Sequence, residues 1–290
     1  MLEPPLGLPW ARSHAALPVI DSLSDAGIAL FFSARDGQGR ARIARAELSL
    51  DGSARPCISR DPVLDLGSLG AFDDGGVTSS CVVDHDGRRY LYYTGWARGV
   101  SVPFYLFVGC AISDGGAFVR VSSAPVLERS AVDPYLTASP SVLVEEGRWR
   151  MWYVSGTGWR SENGRAKHWY HVKYAESDDG ITWRRDGRVC IDYASEAEHA
   201  IGRPCVLRGR DGYLMWYCAR GSAYRLGFAE SQDGLTWIRR DDELALDGSQ
   251  EEWDAEMQAY PVVFDLAGKR HMLYNGNGYG RTGIGYAVLE

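Results

Sequence analysis

Between Gly202 and Trp237 the chain alternates short apolar runs with polar turns. Gly202–Leu207 is an apolar run interrupted by one proline, and Asp211-Gly212 ends it. Tyr213–Cys218 is a second run and Leu226–Ser231 a third, and Gln232-Asp233-Gly234 separates that from a fourth at Leu235–Trp237. Runs of four to seven β-branched and aromatic residues punctuated by Asp-Gly turns predict a meander of antiparallel strands. No apolar stripe at helical spacing persists for ten residues here, so a helix is not expected.

The unit recurs. Its start appears as Leu17-Pro18, Ser79-Ser80, Ser139-Pro140, Arg203-Pro204 and Tyr260-Pro261, at intervals of 57 to 64 residues. The second strand returns as ALFFSAR, YLYYTGW, RMWYVSG, LMWYCAR and HMLYNGN. The third returns as VGCAISD, VKYAESD, LGFAESQ and IGYAVLE. Five such copies predict an all-β, five-bladed β-propeller with four-stranded antiparallel blades, forming a single domain over residues 1–290. The blades are expected at about 15–60, 76–127, 138–191, 202–246 and 259–290. The last has three clear strands, and the segment Leu6–Trp10 is a candidate for the fourth, which would close the ring. Two stretches read as inserts longer than a hairpin turn, Arg98–Phe104 and Trp159–Tyr170.

Composition narrows the function classes. A net charge of −7 with dispersed Lys and Arg argues against a nucleic-acid surface. No apolar run is long enough for a membrane span, and the first residues lack a secretory h-region. Six cysteines without CxxC spacing read as reduced structural thiols of a cytoplasmic protein. The oligomeric state is left open.

Strand direction sorts the loops into two faces. Segments entering first strands and leaving second strands share a face of varied chemistry, whereas the opposite face carries mostly Asp-Gly turns. Asp179 and Asp233, in SDDGITW and SQDGLTW, lie on the plain face and read as turn-binding residues, with Trp183 and Trp237 wedged beside them. On the varied face, Asp73, Asp74, Glu198, Asp254 and Glu256 precede first strands. Carboxylates from different blades can meet near an axis, as glycoside cleavage by an acid and a base requires. Asp74 and Glu256 are taken as the catalytic pair, with Glu198 in reserve; loop capping is the competing role of each. Arg203 and Arg220 suit a carboxylate or phosphate on the ligand, with Lys167 nearby, or else pair internally with Asp254 or Glu256. Trp96 and Trp159 are candidate sugar-stacking platforms or core residues. His14, Asp73, Tyr260, Asn275 and Asn277 complete the expected binding group, with Tyr279 as a further hydroxyl-bonding side chain. His14, His168, His171 and His199 have no metal-ligand spacing, so no cofactor is expected and a metal ion on the axis is left open without support.

With SPSV, RMWY, YAESDDGITW, RPCV, LMWY and MLYNGNGYG in view, the chain resembles the five-bladed propeller glycosidases. These are the arabinanase and β-xylosidase group (glycoside hydrolase family 43), with invertase-like and mannoside-phosphorylase relatives. The likeness is strongest to a branch carrying RPxV, MWY, EMxxYP and YNGNGYG that accompanies genes for surface polysaccharides. The resemblance implies a glycoside-processing enzyme acting on a carbohydrate or glycosylated small molecule in an axial pocket. In the arabinanase group the acids stand directly before the first-strand prolines. Those positions are Leu17, Ser139, Arg203 and Tyr260 here, and none is acidic. Glycosyl transfer, phosphorolysis or another biosynthetic step, and carbohydrate binding without chemistry, are the alternatives.

Overall fold

The structure is a computed structural model that describes residues 2–4, 6–24, 27–49, 54–244 and 253–289. Its strands fall into five groups in chain order. The first is β1 (Ser13–Ser24), β2 (Gly27–Arg35), β3 (Ala41–Ser49) and β4 (Cys57–Ile58). The second is β5 (Gly76–His85), β6 (Arg88–Arg98), β7 (Phe104–Ser113) and β8 (Val119–Arg120). The third is β9 (Thr137–Glu145), β10 (Arg148–Glu162), β11 (Arg165–Ser177) and β12 (Val189–Ile191). The fourth is β13 (Ala200–Arg208), β14 (Tyr213–Arg220), β15 (Tyr224–Ser231) and β16 (Ile238–Arg239). The fifth is β17 (Ala259–Leu266), β18 (Lys269–Asn275) and β19 (Ile284–Leu289). Pairing within each group is antiparallel between sequence neighbours. Single parallel bridges, Ala41 to Gly76 and Tyr170 to Ala200, join the first two groups and the third and fourth into longer sheets.

Local chemistry sets the turns. Asp86-Gly87, Glu146-Gly147, Asn163-Gly164 and Ala267-Gly268 have positive φ at both residues, the twist that a two-residue hairpin needs. Trp159–Tyr170, expected as a loop insert, is instead the far end of the β10–β11 hairpin, turned at Asn163-Gly164. The Asp-Gly turns behave as the sequence implies. Asp179 Oδ1 accepts from the amides of Ile181 (2.8 Å) and Thr182 (2.7 Å), and Asp233 Oδ1 from those of Leu235 and Thr236 (2.8 Å each). The glycines of these turns also link neighbouring groups. Tyr92 Oη donates to Gly180 O (2.6 Å) and Trp152 Nε1 to Gly234 O (2.7 Å).

The core lies between groups rather than inside one of them. Val19, Phe31, Val77 and Leu91 pack the first group on the second, and Tyr92, Trp149 and Met151 the second on the third. Trp152, Tyr174, Met215 and Tyr217 join the third and fourth, and Trp216, Val263 and Met272 the fourth and fifth. Leu2, Leu30, Phe32, Phe264, Leu273 and Ile284 bring the fifth back to the first. The first strands follow the same circuit: β1 touches β5, β5 touches β9, β9 touches β13, β13 touches β17 and β17 touches β1. Beside β19 it is Leu2 that bridges Ile284, while Leu6, Leu8 and Trp10 pack against the adjoining core.

Irregularity in the first strands is systematic. Leu17, Ser139, Arg203 and Tyr260, each directly before a proline, have φ of 56°, 46°, 56° and 60°. The pairing register slips at the same places, between Ala16 and Val19, Gly202 and Cys205, and Ala259 and Val262. Bulges of this kind unpair one residue and re-aim its side chain. The amides they release are caught by side chains of the preceding group. Ser79 N donates to Ser33 Oγ (3.1 Å), Ser139 N to Thr94 Oγ1 (2.8 Å) and Leu17 N to Asn275 Oδ1 (2.8 Å). The Tyr260 amide is bonded to Cys218 Sγ.

Asn275 closes this relay. It is fully buried, and its Nδ2 donates to Ala15 O and Gly283 O at 2.7 Å each. Gly280 is required beside it, because a Cβ there would stand 2.7 Å from Ala15 O. Asn275→Ala leaves an amide and two carbonyls unpaired, at about 1–3 kcal/mol for each group that stays dry. Its expected loss of stability, read from urea unfolding, is roughly 3 kcal/mol; a loss below about 1 kcal/mol would show that the closure does not depend on this side chain.

Candidate functional site

The bulges turn residues from several groups toward one cavity of about 440 Å³ on the face of varied loops. Of the side chains expected at the site, Trp96, Arg203, Arg220 and Tyr260 line it, together with His168 and Tyr279. Arg35, Thr78, Thr94, Phe104, Tyr170 and Tyr224 line it as well and were not anticipated. A signal for Arg35 was present: ALFFSAR and LMWYCAR are equivalent second strands, so Arg35 ends β2 where Arg220 ends β14.

His14, Asp73, Asp74, Trp159, Glu198, Glu256, Asn275 and Asn277 are not among the lining residues. Asp73 is buried, 2.8 Å from Arg120 Nε and 3.1 Å from Tyr93 Oη. Asp74 Oδ2 accepts from the Gly70 amide (2.9 Å), capping its own loop. Glu198 is gripped by both terminal nitrogens of Arg239, at 2.7 and 2.8 Å. Asp254 accepts from Tyr274 Oη (2.9 Å). Glu256 is exposed, and Asn277 Oδ1 accepts from its amide (2.9 Å). His14 Nδ1 is 3.0 Å from Ser13 Oγ. Trp159 stands behind the wall, its ring centroid 5.3 Å from Phe104 and 5.6 Å from His168.

Among the described residues, no aspartate or glutamate lines the cavity. Its charged groups are arginines, and among the described residues none of Arg35, Arg203 and Arg220 has a carboxylate oxygen within 4.0 Å. Arg203 is 2 % exposed and crosses to the first two groups, donating to Ser79 O (3.1 Å), Ser80 O (2.8 Å) and Pro18 O (2.6 Å). It also lines a second cavity of about 370 Å³ among the other ends of the first strands. Arg35 reaches solvent, yet desolvation by the surrounding wall lowers its pKa, with Arg281 adding to the effect.

The walls are aromatic. Tyr170 and Tyr224 are hydrogen-bonded through their hydroxyls, and burial raises both phenols' pKa, keeping them neutral proton donors. The Arg220 guanidinium lies 5.4 Å from the Tyr224 ring centroid and 5.7 Å from that of Tyr279. His168 stacks on Tyr170 with centroids 4.9 Å apart and planes 3° off parallel. Burial, then Arg220, lowers its pKa to about 4, so the ring is neutral at neutral pH. Among the described residues, no group of three His, Cys, Asp or Glu is placed to hold a metal ion. No described helix is long and apolar enough to cross a membrane.

No family model matches the chain. Two relatives from Mycobacterium tuberculosis do: Uncharacterized protein MT1551 (strain CDC 1551 / Oshkosh) and Uncharacterized protein Rv1502 (strain ATCC 25618 / H37Rv). Each is 43% identical over 286 residues, covering 98% of this chain and 95% of the relative. The chain belongs to their family.

Similar solved structures extend the fold assignment. A glycoside hydrolase superposes with a TM-score of 0.77 at 17% identity, over 100% of this chain and 92% of that one. A thermostable family-43 glycoside hydrolase gives 0.72 at 16%, over 97% and 92%. A structure from work on the GH130 family of mannoside phosphorylases, said to contain glycoside hydrolases that target β-1,2 mannosidic linkages in Candida mannan, gives 0.69 at 17%, over 97% and 85%. These neighbours have glycoside hydrolase-like propeller folds, and the likeness to them is one of fold.

The neutral histidines have a consequence for stability. Burial lowers the pKa of His14, His168 and His199 from 6.5 to about 4. Between those values the unfolded chain binds more protons than the folded one. Their contribution is therefore present in full above pH 6.5 and is lost as pH falls toward 4. Urea unfolding followed across this window should show the decline, and His168→Gln should make it shallower; an identical slope in the variant would place the titration elsewhere.

Proposed function

We propose that the five strand groups are the blades of a propeller, and that the 440 Å³ cavity on its axis holds a carbohydrate or glycosylated small molecule. The observation that carries this is the lining itself: Trp96, Tyr170, Tyr224 and Tyr260 converge on a concave site of small-molecule size. Aromatic side chains supply apolar area with a polar handle, which suits the faces and hydroxyls of a sugar ring. The propeller glycosidase likeness supports the same class of ligand.

The route of reaction follows from what surrounds that ligand. Cleavage between an acid and a base needs two carboxyl groups flanking the scissile bond, about 5–5.5 Å apart for retention or 6.5–9.5 Å for inversion. Among the described residues the cavity presents none, and Asp73 and Glu198 are engaged by Arg120 and Arg239. The reading best supported is therefore a sugar-active protein working by glycosyl transfer, phosphorolysis or binding, rather than by hydrolysis between cavity carboxylates. Six free thiols, three of them buried, favour a cytoplasmic setting.

Intrinsic tryptophan fluorescence during titration with mono- and oligosaccharides provides the test. A ligand should perturb the wild-type emission, and Trp96→Ala should weaken its binding about tenfold, as expected for loss of a stacking platform. In phosphate-free buffer, no reducing sugar should accumulate from bound glycosides. Its release by the wild type, with loss in Asp74→Asn or Glu256→Gln, would restore the two-carboxylate mechanism.

A further inference from the structure

We infer that the ligand of this cavity carries a carboxylate or phosphate group, held by Arg35 and Arg220 with Arg203 adding positive charge at the axis. The inference rests on the carbohydrate reading above and deepens it to a substrate class. Its basis is an imbalance. The chain has 38 acidic and 31 basic residues, so carboxylates are in excess overall. Arginines on the outer parts of the same strand groups are paired accordingly: Arg120 with Asp73, Arg185 with Asp133, Arg239 with Glu198 and Asp241. Among the described residues, the three arginines of the cavity have no such partner.

Each of the three is placed differently. Arg203 spends hydrogens on three backbone carbonyls, which fix its guanidinium but leave its formal charge uncompensated. Arg220 rests on the rings of Tyr224 and Tyr279, contacts that orient a cation while leaving its N–H fork available. Arg35 stands at the end of β2, close enough to Arg281, Tyr260 and His14 to interact with them electrostatically. Cations already stripped of part of their water lose less solvation when an anion docks, and guanidinium pairs with carboxylate or phosphate through two parallel hydrogen bonds. His168 is neutral and therefore neither competes for the anion nor neutralises an arginine. A neutral sugar would fill the aromatic walls yet leave this charge unanswered.

Calorimetric titration of the intact chain with hexoses, hexose phosphates, hexuronic acids and inorganic phosphate decides the matter, using wild type, Arg35→Gln and Arg220→Gln. The expected result is that an acidic sugar binds wild type roughly 10- to 100-fold more tightly than its neutral counterpart, the range for a hydrogen bond to a charged group. At least tenfold of that preference should disappear in Arg220→Gln, whose melting temperature should stay near that of wild type because Arg220 makes no ion pair. Preference for the phosphates or for the uronic acids identifies which anion is meant. Equal affinity for neutral and acidic sugars, or a preference that survives in both variants, overturns the inference and leaves the carbohydrate site standing. Binding of inorganic phosphate that is lost in Arg220→Gln, with no sugar of any charge bound, does the reverse. Absence of binding by every compound overturns both.

Discussion

The cavity depends on one contact that holds the first strands together. Arg203 extends from β13 across the axis to the carbonyls of Pro18, Ser79 and Ser80, joining the fourth group to the first and second. A buried guanidinium without a carboxylate is costly unless its hydrogens are satisfied, and backbone carbonyls satisfy them here without neutralising it. The same positive-φ bulge that aims Arg203 also aims Leu17, Ser139 and Tyr260. Strained backbone of this type costs on the order of 1–3 kcal/mol per residue and persists only where its surroundings fix it. Side chains of neighbouring groups take up three of the freed amides: Asn275 that of Leu17, Thr94 that of Ser139 and Cys218 that of Tyr260. Architecture and site geometry are thus one set of hydrogen bonds.

Acidic residues are spent on a different task. Asp73, Asp133, Asp241 and Asp254 each accept from a tyrosine of a second strand: Tyr93, Tyr153, Tyr217 and Tyr274, at 3.1, 3.0, 2.6 and 2.9 Å. In three groups an arginine from the chain's return path, Arg120, Arg185 or Arg239, completes the arrangement. These pairs tie loops to sheets away from the axis and leave the cavity to cations and aromatic rings. The positions directly before the first-strand prolines are leucine, serine, arginine and tyrosine, so none of them adds an acid to the cavity.

Much of the fold could be read from the sequence because its determinants are local. Alternating apolar runs, Asp-Gly turns and the recurring second strands each specify structure within about ten residues. The spare fourth strand at Cys57–Ile58 and the three-stranded fifth group were visible on the same grounds. Site residues were harder. Whether Asp73 faces a ligand or Arg120 is decided 47 positions away, and two of the three partners of Asn275 lie some 260 positions off. Asn275 sits among glycines that suggest ligand approach, but the close approach they permit is that of β1. Trp159 belongs to a long hairpin whose aromatic rings pack on Phe104, a pairing that no motif announces. Arg220 and Trp96, near the ends of their second strands, and Arg203, at a first-strand bulge, could be placed toward the cavity because those positions follow from the repeat.

The relay of amides also sets an order in time. The bulges of the second, third and fifth groups are held by the group before them, whereas the first group's Leu17 amide waits for Asn275. A ribosome adding about 5–20 residues per second needs roughly 13–50 s to make the 258 residues between them. Throughout that interval β1 has its bulge unsupported and its apolar face toward Phe264, Leu273 and Ile284 uncovered. Contacts of such long sequence separation form late and slowly. The nascent chain must therefore be kept from pairing its first strands with those of other chains until its last group arrives, which makes synthesis, rather than the finished molecule, the stage most exposed to aggregation.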